Sequence, residues 1–392
     1  QILESAGHRT GLITSVNAVI GGRALDTGFH VTTPDAPDIQ RYLAEMVRAG
    51  LTHCVLETTS HGLAQHRVDA CDFDIGVVTN VTREHLDYHR TFEEYLAAKA
   101  RLVESLAESP AKAFVPERLA ILNRDDGSFD FLRGRTAVRV VSYGTSPDAE
   151  VRADDVRVGK EGIRFRALGP TFRVDVTSPL FGAYNVANCL AALTAAVVGL
   201  GVDPEAAAES LRRVGSIPGR METIDLGQPF QALVDFAHTP NGLRQALLAA
   251  RTRTGGRLIA VFGCAGLRDP SKRETMAAAA IELADLAVFT AEDPRTESLE
   301  AILEAMASGA QSAGGEEDKD FRRIPDRPEA IRWAVRQARP GDTVIALGKG
   351  HEQSMAFGGT EYPWDDRTAM RAALSELLGV PGPKMPVLPT SR

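Results

Sequence analysis

Residues 57–99 read ETTSHGLAQHRVDACDFDIGVVTNVTREHLDYHRTFEEYLAAK, gathering a carboxylate, several imidazoles, an arginine and a lysine around two short apolar runs. The run His53-Cys-Val-Leu stops at Glu57 and the run Ile75-Gly-Val-Val stops at Thr79-Asn80, so each polar cluster begins where a short buried strand is expected to end. In open parallel α/β sheets, ligands bind outside the carboxyl ends of strands. Glu57 and His85, 28 positions apart, are therefore expected to face one crevice. An oxygen plus an imidazole nitrogen suits Mg2+ or Mn2+ holding substrate phosphates, and no cysteine pair marks a structural zinc site. Read from the pair alone, a surface glutamate and a turn histidine remain the alternative.

Outward from this stretch, strands and amphipathic helices alternate from residue 10 to about 108, which predicts a doubly wound α/β sheet with a helix over Phe92–Leu106 carrying Lys99. Residues 109–120 read as a connecting loop. Ala137 to Val176 turns β-rich and predicts a small antiparallel sheet, followed by helices over Tyr184–Leu200 and Pro204–Val214. The turn signal Ile217-Pro218-Gly219 places a boundary there, giving units 1–218 and 219–379 and a disordered Pro-rich tail over 380–392.

The second half alternates again, as a Rossmann-like domain. Strands are expected over Ala232–Phe236, Leu258–Phe262, Leu286–Thr290 and Thr343–Leu347, with helices over Pro240–Arg251, Lys272–Ala284, Leu299–Ser308 and Pro328–Ala338. The four strands end in AHTP, GCAGLRD, AEDPR and GKGHE, and these ends are expected to open on one face. Arg268 and Arg295 among them suit a carboxylate, because guanidinium forks match it bidentately.

At 392 residues the chain is long enough for at least two cores. Its formal charge of -8 argues against nucleic acid as a partner, which would need a basic stripe to release counterions. Anionic substrates must then be met by local Arg and Lys. The four cysteines show no CxxC spacing and read as reduced, buried residues of a cytoplasmic protein. The most apolar stretch, Val186 to Gly201, carries Asn188 and is too short for a span, so no membrane contact is expected.

TNVTREHLDYHRTFEEYLAAK resembles the central-domain motif of the Mur ligases, and ETTSHGLAQHR resembles the form carried by the tripeptide synthetases among them. HVTTPD, FGAYNVANCLAAL, IPGRMETI, VDFAHTPNGL, GCAGLRDPSKR, EDPRTES and LGKGHEQ follow in the order of that family. The resemblance implies most of a central ATPase domain followed by a carboxyl-terminal domain. It also implies that Gln1 lies just past the phosphate-binding loop: GxxxxGK followed by Ser or Thr occurs nowhere, so this chain alone is expected to be inactive.

By the same resemblance, Thr32, Thr33, Thr59, Gln65 and Arg67 contact a UDP-MurNAc-peptide, and Glu57, His85 and a carbamylated Lys99 hold Mg2+ in the catalytic centre. Asn185, Asn188, Arg220, Asp235 and His238 serve ATP as co-substrate. Arg268, Glu292, Asp293, Pro294, Arg295, Gly348 and Glu352 receive the added amino acid. Thr59 stands in place of the usual Ser, Leu267 in place of Asp, and Glu292-Asp293 in place of Asp-Asn. The last change adds a negative charge and leaves open whether the added residue is meso-diaminopimelate, lysine or ornithine.

The implied reaction joins a diamino acid to UDP-N-acetylmuramoyl-L-alanyl-D-glutamate through an acyl phosphate, in a monomer. Two alternatives stay open: a ligase of the same superfamily acting on folylpolyglutamate or cyanophycin, and a degenerate non-enzymatic relative.

Overall fold

The computed structural model describes residues 1–25, 32–82, 84, 86–110, 112 and 117–391, without the side chains of 86 and 87. The chain forms two compact units, Gln1–Gly215 and Ser216–Arg392.

The first unit contains two sheets. Strands β1 (Thr10–Ile13), β2 (Ala18–Ile20), β3 (Arg23–Leu25) and β4 (His53–Leu56) form one, in the order β3-β2-β1-β4, with β4 parallel to β1. The other runs β10-β9-β8-β7-β6-β5, built from β5 (Ile75–Val78), β6 (Leu119–Asn123), β7 (Arg139–Gly144), β8 (Val151–Gly159), β9 (Gly162–Leu168) and β10 (Arg173–Ser178). β5 to β8 are parallel neighbours, and β9 and β10 add in antiparallel fashion. The antiparallel strands thus extend the parallel ones within one sheet.

Alternation along β6 explains the double winding. Leu119 and Ile121 bury among Val186, Leu190 and Leu193 on one face, whereas Ala120 and Leu122 bury among Tyr95, Leu96 and Val103 on the other. The helix Phe92–Ser105 starts at an N-cap, with Thr91 Oγ1 accepting from the N–H of Glu94 at 3.1 Å. That cap fixes the register that turns Lys99 inward. The helix Tyr184–Thr194 passes into one π-turn at Ala195–Gly199.

Two expectations are corrected here. β4 is not buried: Cys54 and Val55 are exposed, because among the described residues β4 pairs only with β1 and forms an edge. Cys71 is half-buried, so only Cys189 and Cys264 fit the buried reading.

The second unit has a six-stranded sheet in the order β11-β12-β16-β13-β14-β15. These are β11 (Glu222–Thr223), β12 (Gln231–Asp235), β13 (Leu258–Phe262), β14 (Leu286–Phe289), β15 (Phe321–Arg323) and β16 (Thr343–Leu347). β12, β16, β13 and β14 are parallel neighbours, so their four carboxyl ends lie along one edge as expected. A hairpin of β17 (Ser354–Phe357) and β18 (Thr360–Pro363) and a helix Asp366–Leu378 complete the unit.

The tail is ordered rather than disordered. Leu388 is buried in the core with Trp364 and Met370, and the hydroxyls of Thr390 and Ser391 donate to Asp326 Oδ1 at 2.7 and 2.8 Å. Among the described residues no helix is long and apolar enough to cross a membrane.

Candidate functional site

In the first unit the TTP and ETTSHGLAQHR segments are locked together. The buried Thr33 donates through Oγ1 to the Glu57 carbonyl at 3.1 Å and accepts from the Thr59 N–H at 2.9 Å. Arg67 donates to the Thr33 carbonyl at 2.8 Å and to Gln65 Oε1 at 2.9 Å. Thr59 caps the helix Ser60–Ala64 by accepting from Gly62 N–H at 3.0 Å. Thr32 precedes this knot, half-buried. Four of the five residues assigned to one ligand are therefore within one hydrogen-bonded cluster.

Glu57 closes β4, where its Oε2 accepts from the N–H and the hydroxyl of Ser15 at 3.0 and 3.1 Å. Lys99 lies with Nζ 5.8 Å from the Tyr95 ring centre. Burial pushes its ammonium pKa down, and the charges of Glu84 and Glu57 oppose that shift. A lysine so desolvated has a larger neutral fraction, which is the form that reacts with carbon dioxide. His85 lies outside the described residues, and among those described no three His, Cys, Asp or Glu side chains form a metal cluster.

Asn185 and Asn188 lie on the helix Tyr184–Thr194, Asn185 Nδ2 donating to the Phe181 carbonyl and Asn188 Nδ2 to Asn185 Oδ1. Arg220, Asp235 and His238 belong to the second unit. The buried Asp235 accepts from the N–H groups of Met221 and Ala237 at 2.7 and 2.8 Å, and Arg220 stacks 4.6 Å above Phe236. Burial, with Lys272 nearby, lowers His238 to about 4. His238 is then neutral near pH 7, and with Nδ1 taken as the donor to the Phe236 carbonyl at 2.9 Å, Nε2 is an acceptor.

The ends of β14 and β16 carry the residues expected to receive the amino acid. Asp293 and Arg295 both take positive φ, +40° and +53°. Arg295 Nη1 donates to the Gly266 carbonyl at 2.7 Å, which ties the EDPR loop to GCAGLRD; Arg268 is exposed in that second loop. Pro294 is buried. Asp293 does not carry a loose charge: the fully buried Lys349 Nζ donates to both its oxygens at 2.9 Å, and the Ala356 N–H adds a third bond. Lys349 also pairs with Glu352 at 2.5 Å. Lys349 was not among the sequence candidates, although a lysine between two glycines at a strand end is a visible signal. Gly348, at φ +106°, lies directly under the Glu292 carboxylate, where any Cβ would collide.

Glu292 is buried, and its Oε2 has no hydrogen-bond partner among the described residues. Burial raises its carboxyl from the ordinary 4.5 to about 7, against the pull of Lys272, Arg327 and Lys349. A raised carboxyl contributes stability that is complete below its unfolded value and is lost as pH rises through about 7. Glu292→Gln, neutral at every pH, is therefore expected to stabilise the protein at pH 8, by about 3 kcal/mol at most, and not at pH 4. Thermal melts of both proteins at the two pH values measure this; an equal Tm shift at both would contradict it.

Residues 1–196 match the Mur ligase middle domain and residues 219–350 the Mur ligase glutamate ligase domain. The UDP-N-acetylmuramyl-tripeptide synthetase of Roseiflexus sp. (strain RS-1) is 43% identical over 96% of this chain and 75% of its own length. A UDP-N-acetylmuramoyl-L-alanyl-D-glutamate–2,6-diaminopimelate ligase of Streptomyces coelicolor is 42% identical over 94% of this chain and 71% of its own. A solved diaminopimelate ligase is 33% identical with a TM-score of 0.63, covering 96% of this chain and 74% of that one. A folylpolyglutamate synthase from Mycobacterium tuberculosis, 19% identical with a TM-score of 0.67 over 97% of this chain and 87% of its own, shares the fold. The chain belongs to the Mur ligase family. Within it, the chain strongly resembles the tripeptide synthetases over most of its length and spans about three quarters of theirs.

Proposed function

We propose that this chain serves an ATP-dependent ligase that joins meso-diaminopimelate to UDP-N-acetylmuramoyl-L-alanyl-D-glutamate in peptidoglycan synthesis. The identity to relatives bearing that activity supports the reaction class. ATP gives its γ-phosphoryl group to the terminal carboxylate of the peptide. The diamino acid's amine then attacks the acyl phosphate, phosphate leaves, and the nitrogen sheds a proton as the amide forms.

Thr32, Thr33, Thr59, Gln65 and Arg67 would orient the nucleotide-linked peptide, and Asn185, Asn188, Arg220, Asp235 and His238 would receive the nucleotide. Glu57, His85 and Lys99 as a carbamate would hold Mg2+, an all-hard donor set apart from one imidazole. Bound there, the ion supplies compensation for charge on the transferred phosphoryl group. Their main contribution is positioning, which removes the entropy cost of bringing amine and acyl phosphate together.

The observation that carries the choice of amino acid is the pairing of Asp293 with Lys349. The extra charge that would favour a cationic side chain is absorbed within the protein. Arg268 and Arg295 are then the groups suited to a distal carboxylate. Competition among meso-diaminopimelate, lysine and ornithine on the intact ligase, phosphate-binding loop included and scored by product mass, is expected to favour diaminopimelate at least about 10-fold in kcat/KM. A preference for lysine or ornithine refutes the assignment; product with glutamate and a folate acceptor would favour the related superfamily reading.

A further inference from the structure

Arg327 is fully buried at the first position of the helix Arg327–Gln337. Its Nε and Nη2 meet the two oxygens of the equally buried Asp366 at 2.7 and 2.6 Å, and Trp364 Nε1 donates to the same carboxylate at 2.9 Å. The remaining contacts go to main chain. Nη1 donates to the Ala291 carbonyl at 3.1 Å and Nη2 to the Leu347 carbonyl at 2.8 Å.

Those two carbonyls belong to the residues immediately before Glu292 and Gly348. One opens the EDPR loop after β14 and the other opens the GKGHE loop after β16, and β13 lies between these strands. One rigid, planar guanidinium thus spans two strand ends that do not touch through the ladder. The bonds from Lys349 to Asp293, and the seat of Glu292 on Gly348, need these loops at one separation. The start of the helix is fixed in turn, because its cap Asp326 accepts from the Glu329 N–H at 3.2 Å and from Thr390 and Ser391 of the tail.

We propose that Arg327, held by Asp366 and Trp364, is a positioning residue that sets the spacing of the two loops receiving the amino acid; this rests on the ligase reading above. A buried ion pair adds little net stability over apolar residues of similar volume, so stability alone does not account for it. Its geometric role gives a different expectation: the amino-acid site loosens while the sites for the other substrates do not.

The test replaces the triad by apolar residues, Arg327→Met, Asp366→Leu and Trp364→Phe together, and in parallel makes Trp364→Phe alone, which removes one hydrogen bond. Each change is made in the intact ligase, this chain together with a phosphate-binding loop, and KM is measured for meso-diaminopimelate, ATP and the nucleotide-linked dipeptide, with Tm for each protein. The triple variant is expected to raise the diaminopimelate KM at least 10-fold, and Trp364→Phe 2- to 3-fold, with the other two KM values within 2-fold of the parent. Folded variants whose diaminopimelate KM equals the parent's, or in which all three KM values rise together, overturn the proposal. Should the triple variant fail to fold, Trp364→Phe decides by the same criterion. A parent that carries this chain together with a phosphate-binding loop and still ligates no diamino acid instead refutes the ligase reading, which separates the two failures.

Discussion

Lys99→Ala in the intact ligase, phosphate-binding loop included, is expected to lower turnover by about 100-fold or more, and added formate or acetate is expected to restore part of it. The reasoning begins with burial. An ammonium on the helix Phe92–Ser105 is desolvated beside Tyr95, and its pKa falls although Glu84 and Glu57 favour the charged form. Attack of the neutral amine on carbon dioxide would form an N–C bond and release a proton, converting a cation within the field of Glu57 into an anion. Glu57 and the carbamate would then offer Mg2+ two anionic groups where an ammonium would repel it. Removal of the side chain would vacate the place of the carbamate, so rescue should follow the size of the additive: formate and acetate act, and a bulkier acid such as benzoate does not. Initial rates with and without additive measure both parts. Full turnover of Lys99→Ala in the absence of additive would sink the metal assignment.

The contrast between Lys99 and Arg327 indicates how far sequence reaches. β4 and β5 occupy His53–Leu56 and Ile75–Val78, where short apolar runs meet polar breaks, and the N-cap Thr91 marks the start of the helix that carries Lys99. All of that is local pattern, set by periods of 2 and 3.6 and by caps. The β17–β18 hairpin is legible in the same way, since Gly358-Gly359 separates SMAF from TEYP. The Thr33–Thr59–Arg67 knot joins residues up to 34 apart, and its parts stand out only because two motifs share one ligand by resemblance.

Arg327, Asp366 and Trp364 have no such signal. In DRPEAI and PWDDR they read as ordinary helix-start residues, and only the fold turns them inward toward carbonyls at 291 and 347. Asp293 is the instructive case between these limits. Its sequence context makes it a candidate ligand group, whereas a lysine 56 positions away neutralises it in the interior. Whether a charge is available to substrate depends on such tertiary pairing, which no local pattern encodes. The same limitation hides the openness of β4, because an apolar run reports what could be buried and not what lies beside it.

Arg295→Ala is expected to lower kcat/KM for meso-diaminopimelate by roughly 100-fold and to lower that for lysine much less. Arg295 is pinned by its own backbone, with its N–H donating to the Ala356 carbonyl at 3.1 Å and its carbonyl accepting from Gly358 at 2.7 Å, so the guanidinium starts from a fixed point at positive φ. One of its nitrogens is spent on Gly266, leaving the rest of the fork for a ligand. A carboxylate paired with arginine in a partly desolvated site loses about 2–3 kcal/mol when the partner is removed, which is the factor of roughly 100. Lysine brings no distal carboxylate and has no such pair to lose. The companion change Asp293→Asn should behave in the opposite manner. It removes one of the two carboxylates, the other being Glu352, that pair with the buried Lys349, so Tm falls, while the preference for diaminopimelate over lysine stays within about 3-fold of the parent because both Asp293 oxygens are bonded to Lys349. Steady-state kinetics with both amino acids on the two variants measure the pair of effects. A preference switched to lysine by Arg295→Ala supports the site; a preference changed about 10-fold or more by Asp293→Asn would place that carboxylate in contact with substrate and undo the argument.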